Sequence, residues 1–91
     1  MITLTQAFHL CDINNESITL VDAYNPHTSV WGWSEDFKKK FDFHKMEVVK
    51  IKPSWYHDGD FAGMKFYVQV EKTYQDKVFP YKGINVHLDI Y

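Results

Sequence analysis

From Gly63 to Thr73, apolar and polar residues alternate with a period of two: Met64, Phe66, Val68 and Val70 against Lys65, Tyr67, Gln69 and Glu71. Only an extended strand sends alternate side chains to opposite faces, so this segment requires a sheet with one side buried and the other in water. Gly83 to Tyr91 repeats the pattern. Ile84, Val86, Leu88 and Ile90 are predicted to face inward and Asn85, His87, Asp89 and Tyr91 outward, which ties the C-terminal end into the sheet. Ser17 to Asp22 alternates Ile18 and Leu20 with Thr19 and Val21. A turn at Tyr24-Asn25-Pro26-His27 returns the chain as a partner strand over Thr28 to Trp33. Met46 to Tyr56 adds Val48, Val49, Ile51, Trp55 and Tyr56, with Pro53 predicting a bulge or an edge position.

Two segments carry the helical period instead. Leu4, Ala7, Phe8 and Cys11 form one apolar stripe, and Thr3 with Gln6 matches a capping box for a helix over Thr3 to Cys11. Asp12, Asn14 and Asn15 then break the period. Ser34 is predicted to cap a second helix, Glu35 to Phe41, with acids in its first turn, a solvated Lys38-Lys39-Lys40 end, and Phe37 and Phe41 as buried contacts. The order reads α-β-β-α-β-β-β. The expected fold is α+β, one domain over 1–91: a mostly antiparallel sheet of about five strands with one face covered by the N-terminal helix.

Charge and motif content narrow the function. The formal charge is −2 with acids and bases interleaved, and all ten basic residues are Lys. Without the arginine fork that reads guanine edges and clamps phosphate, a duplex-DNA reader is disfavoured. The single cysteine, Cys11, excludes an internal disulfide and a cysteine-based zinc site, and it lies on the apolar stripe of the first helix. Histidines 9, 27, 44, 57 and 87 show no metal-ligand spacing, and the serines lack nucleophile-elbow glycines. His57-Asp58-Gly59-Asp60 reads as a hairpin loop whose tip offers contacts rather than chemistry. No cofactor, metal or catalytic residue is expected. No run approaches the ~20 apolar residues of a membrane span, and the N-terminal residues carry no leader pattern, so a cytoplasmic protein is expected.

The aromatic content is the positive signal. Seven Phe, six Tyr and three Trp are more rings than a chain of 91 residues readily hides, since a domain of this size buries only roughly 60–68% of its unfolded surface. Trp31, Trp33, Trp55, Tyr56, Tyr67, Tyr81 and Tyr91 are the candidates for the exposed share; core is favoured over surface for Trp31 and Trp33, surface for Tyr67 and Tyr91, and the alternation alone does not decide the three tryptophans. With the last two strands as antiparallel neighbours, Lys65, Tyr67, His87, Asp89 and Tyr91 form one outward patch, extended by Tyr56, Asp58 and Asp60 at the loop. Exposed Tyr and Trp beside charges suit a protein partner. Lysines among sheet aromatics also suit single-stranded nucleic acid, ranked second because Glu71 and Asp89 fall on the same predicted face and repel phosphate. A homodimer joined at an edge strand, near Pro53 or the C-terminal strand, is the third alternative.

The segments Leu4-Thr5-Gln6-Ala7-Phe8-His9-Leu10-Cys11 and Ile18-Thr19-Leu20-Val21-Asp22, and Trp31-Gly32 ahead of a Lys-rich helix, resemble small uncharacterised accessory proteins of phages and conjugative elements in Gram-positive bacteria. The resemblance covers about the first half of the chain. It implies a bacterial, cytosolic, mobile-element protein and assigns no activity or site residue. Inhibitors of host defence complexes, such as anti-CRISPR proteins, are a functional class within that context.

Overall fold

The computed structural model describes residues 2–55, 58–59 and 61–89. The chain runs through β1 (Ile2–Thr3), α1 (Leu4–Leu10), β2 (Ser17–Asp22), β3 (Ser29–Trp33), α2 (Ser34–Lys40), a 3-10 turn (Phe43–Lys45), β4 (Met46–Trp55), β5 (Phe61–Val70), a second 3-10 turn (Lys72–Tyr74), α3 (Gln75–Val78) and β6 (Asn85–His87). The fold is α+β as expected, but the sheet is mixed. Its strand order is β1-β4-β5-β2-β3-β6. The β2–β3 and β4–β5 pairs are antiparallel, whereas β2 pairs β5 and β3 pairs β6 in parallel.

The departure from an antiparallel sheet comes from the crossovers. Helix α2 and the 3-10 turn after it carry the chain from β3 to β4, which run parallel with β2 and β5 between them, so β5 returns parallel to β2. Lys72 to Val78 carries no apolar helical period and reads as a short connection, but it forms two helical turns that lead the chain from β5 to the far edge of the sheet. Asp22 holds α3 in place: its buried carboxylate accepts from Gln75 Nε2 at 2.6 Å. The last strand therefore returns beside β3, with β2 and β3 between it and β5. It is also shorter than predicted, and Ile84 is 52% exposed rather than inward.

Helix α1 follows its sequence signature. Gln6 N donates to Thr3 Oγ1 at 3.3 Å while Thr3 N donates to Gln6 Oε1 at 2.8 Å, so two donors at the helix start are satisfied reciprocally. Ser34 does not cap α2. The cap position is Trp33, and the buried Ser34 hydroxyl donates to Asn14 O and accepts from Glu16 N, joining α2 to the turn before β2. Pro53 takes the expected edge position, because β1 pairs only Glu47 and Val48 of β4, and a register irregularity follows at Ser54 and Trp55; a further bulge falls between Val48 and Lys50.

One apolar cluster joins the layers. Leu4, Ala7 and Phe8 of α1, Phe37 of α2 and Val78 of α3 pack with Ile18, Leu20, Val30, Phe66 and Val68 of the sheet. The three helices among the described residues thus cover one face. No described helix covers the opposite face.

Candidate binding surface

Strand alternation dictates what the uncovered face carries. Because Ile18 and Leu20, Val30 and Gly32, and Phe66 and Val68 turn toward the helices, Ser17, Thr19 and Val21, Trp31 and Trp33, and Lys65 and Tyr67 turn away. Register then lines these residues into rows. Lys52 pairs Lys65, Lys65 pairs Thr19, Thr19 pairs Trp31 and Trp31 pairs His87, giving one row across five strands. The next row is Lys50, Tyr67, Val21, Ser29 and Asn85.

The two tryptophans overturn the core placement favoured for them. Trp31 is 41% and Trp33 53% exposed. Gly32 fits this: a Cβ there would lie 3.0 Å from Leu88 Cβ and 3.5 Å from the Phe37 ring, so the inward position between them is tight for any side chain. With Val30 and Gly32 turned inward, the flanking tryptophans face water. Trp31 leans on His87, ring centroids 4.4 Å apart. Val21 points to the same open side and is nevertheless buried, so this face has a small apolar floor of its own.

The β4–β5 half of the face is cationic. Lys52 and Lys65 stand directly opposite each other, and Lys50 Nζ lies 5.5 Å from the Tyr67 ring centroid. A side-chain contact with Lys52, then the like charge of its ammonium and some desolvation, holds Lys50 below the ordinary lysine range. The ion pairs among the described residues are Lys38–Glu35, Lys82–Asp76 and His87–Asp89, so none reaches these three lysines.

The predicted patch is only partly assembled. Lys65, Tyr67 and His87 share the open face, but β5 and β6 are not neighbours. Three strand steps, about 14 Å, separate Lys65 from His87. Asp89 lies past the end of β6 at the sheet edge, its carboxylate 3.5 Å from His87 Nδ1 and its carbonyl accepting from Lys40 Nζ. Asp58 is exposed on the loop between β4 and β5. Tyr56, Asp60 and Tyr91 lie outside the described residues, as do His57 and Ile90. The sequence reading missed Trp31, Trp33, Lys50 and Lys52. The available signal was a glycine between two tryptophans, which marks a strand position where something else approaches closely.

The helical side holds a shallow cleft of about 610 Å³ between α1, α2 and the first 3-10 turn, floored by Phe8, Phe41 and Phe43 and rimmed by His9, Lys38 and His44. Two of its polar groups have structural tasks. Asp42 Oδ1 caps the 3-10 turn by accepting from His44 N, and Lys38 pairs with Glu35. No group of three metal-ligating side chains occurs among the described residues. No described helix is long and apolar enough to cross a membrane. Comparison of the chain with protein-family models, curated proteins and solved structures finds no match.

Proposed function

We propose that this protein is a non-enzymatic binding module whose working surface is the open face of its sheet, acting as an accessory or inhibitor protein by occupying a macromolecular partner. The observation that carries the reading is the pair Trp31 and Trp33, exposed side by side on a sheet face that no described helix covers. Exposed tryptophan is costly unless used, and at interfaces it supplies large buried area for few lost rotamers. Ser17, Thr19 and His87 frame the rings with groups that can hydrogen-bond a partner.

Affinity capture from the native host tests this with wild-type protein and the Trp31→Ala/Trp33→Ala variant. A specific partner that the variant no longer retains is the expected result, since loss of one hot-spot ring weakens binding on the order of thirty-fold. Equal capture by both proteins would move the interface off this face.

A further inference from the structure

We propose that the open face binds single-stranded nucleic acid, with backbone phosphates on Lys50, Lys52 and Lys65 and bases stacked on Tyr67 and Trp31. The inference rests on the reading of the open face as the working surface and supplies the chemistry of its partner.

Three observations carry it. Like charges directly opposite on paired strands are unfavourable, yet Lys52 faces Lys65 with no carboxylate partner for either among the described residues. An anion from outside the chain relieves that repulsion. The three ammoniums are spread over two strands and two rows, so the anion that satisfies them carries several charges along its length. Rings share the face with them: Tyr67 lies against Lys50, and Trp31 stands two strand steps, about 10 Å, from Lys65 with Thr19 between. A nucleic-acid strand brings phosphates and planar bases in fixed alternation, and lysines bordering exposed sheet aromatics are the two elements such binding needs. An acidic peptide meets the lysines but brings planar groups only where its sequence supplies an aromatic residue, whereas every nucleotide brings a base. A duplex is disfavoured because its bases are already stacked and the chain has no arginine to read their edges.

The acids that counted against this partner stand at the margins. Glu71 follows the end of β5, about 13 Å along the chain from Tyr67 and beyond a Debye length of ~8 Å at physiological salt. Asp89 is paired with His87 at the sheet edge. Glu47, opposite Gln69 and one row past Lys50, bounds the cationic region on that side.

Fluorescence anisotropy with labelled 15-nucleotide single-stranded DNA and RNA, a matched DNA duplex and poly-glutamate tests the proposal, each at 50 and 200 mM NaCl. Single strands should bind better than the duplex or poly-glutamate, and the DNA and RNA arms show whether the 2′-hydroxyl matters. Three phosphate contacts give a log–log salt slope of roughly −2, or about twenty-fold weaker binding at the higher salt. Lys52→Gln/Lys65→Gln should flatten that slope to about −0.7, while Trp31→Ala should cost on the order of ten-fold at an unchanged slope. Circular dichroism confirms that each variant is folded. The proposal is overturned if neither oligonucleotide binds at 50 mM, if poly-glutamate binds more tightly, or if the variants leave oligonucleotide binding unchanged. Failure of the oligonucleotides, with a partner still captured through Trp31 and Trp33, defeats this inference and leaves the binding-module reading standing.

Discussion

The two faces of the sheet are made from alternate residues of the same strands, and they have opposite requirements. On the helical face, shape governs. Phe66 and Ile18 are almost fully buried, and the approach of Leu88 and Phe37 makes the Gly32 position tight for any side chain. On the open face, charge and ring surface govern: Lys52 opposes Lys65, and Trp31 and Trp33 lie in water although they are among the most apolar side chains in the chain. Close packing on one side therefore selects what is displayed on the other. The tryptophans are exposed, and the residue between them is small enough for the core.

That contrast can be broken most sharply at two adjacent residues of β5. Phe66→Ala should cost about 3–5 kcal/mol in chemical denaturation, as expected for a fully buried ring that leaves a cavity. Tyr67→Ala, one residue on and on the other face, should cost about 1 kcal/mol, the ordinary value for a half-buried position. Similar costs at both positions would mean that the open face is covered. Next in size is Gly63→Ala. Gly63 has φ +116°, and an added Cβ would meet Ser17 O at 2.2 Å, where β5 passes the start of β2. A loss of at least roughly 1–3 kcal/mol is expected from the strained backbone alone, measured by thermal and denaturant unfolding. An unchanged midpoint would contradict the β2–β5 register. The smallest effect belongs to Lys52→Gln, which removes the neighbour that depresses Lys50. The Lys50 pKa should rise toward the ordinary lysine value. In the parent protein the repulsion is fully present below the folded Lys50 pKa and disappears as pH rises through it. NMR titration of the lysine side chains reads the shift directly, and a Lys50 pKa that stays low would remove Lys52 as its cause.

The parts of the fold legible in the sequence are those fixed by neighbours along the chain. Thr3 and Gln6 announce α1 because a capping box is a local exchange of hydrogen bonds. Ser17–Asp22 is legible because its alternation matches the pleat. The rest depends on distant contacts. The place of β6 beside β3 rather than beside β5 goes with the helical turns over Lys72–Val78, which lack an apolar stripe because α3 offers the core chiefly Val78. The two-residue β1 is too short to show a period. For the candidate site, Lys65 and Tyr67 were correctly turned outward by alternation. Trp31 and Trp33 were not, since strand parity is symmetric and only α2 decides which side of β3 is inside. Lys50 was hidden by the bulge at Val49, which shifts the phase of β4 midway.

The parallel pairing of β2 with β5 bears on how the chain reaches its native state. Each hairpin closes a short loop, so β2–β3 and β4–β5 can form early and independently. Neither buries enough apolar surface alone to persist. The central β2–β5 seam joins one hairpin to the other across the intervening α2 segment, and the entropy of closing that long loop falls before its contacts repay it. Docking of the two preformed halves along Ile18–Met64 and Leu20–Phe66 is therefore the expected rate-limiting event, and residues at that seam should change the folding rate more than those within either hairpin.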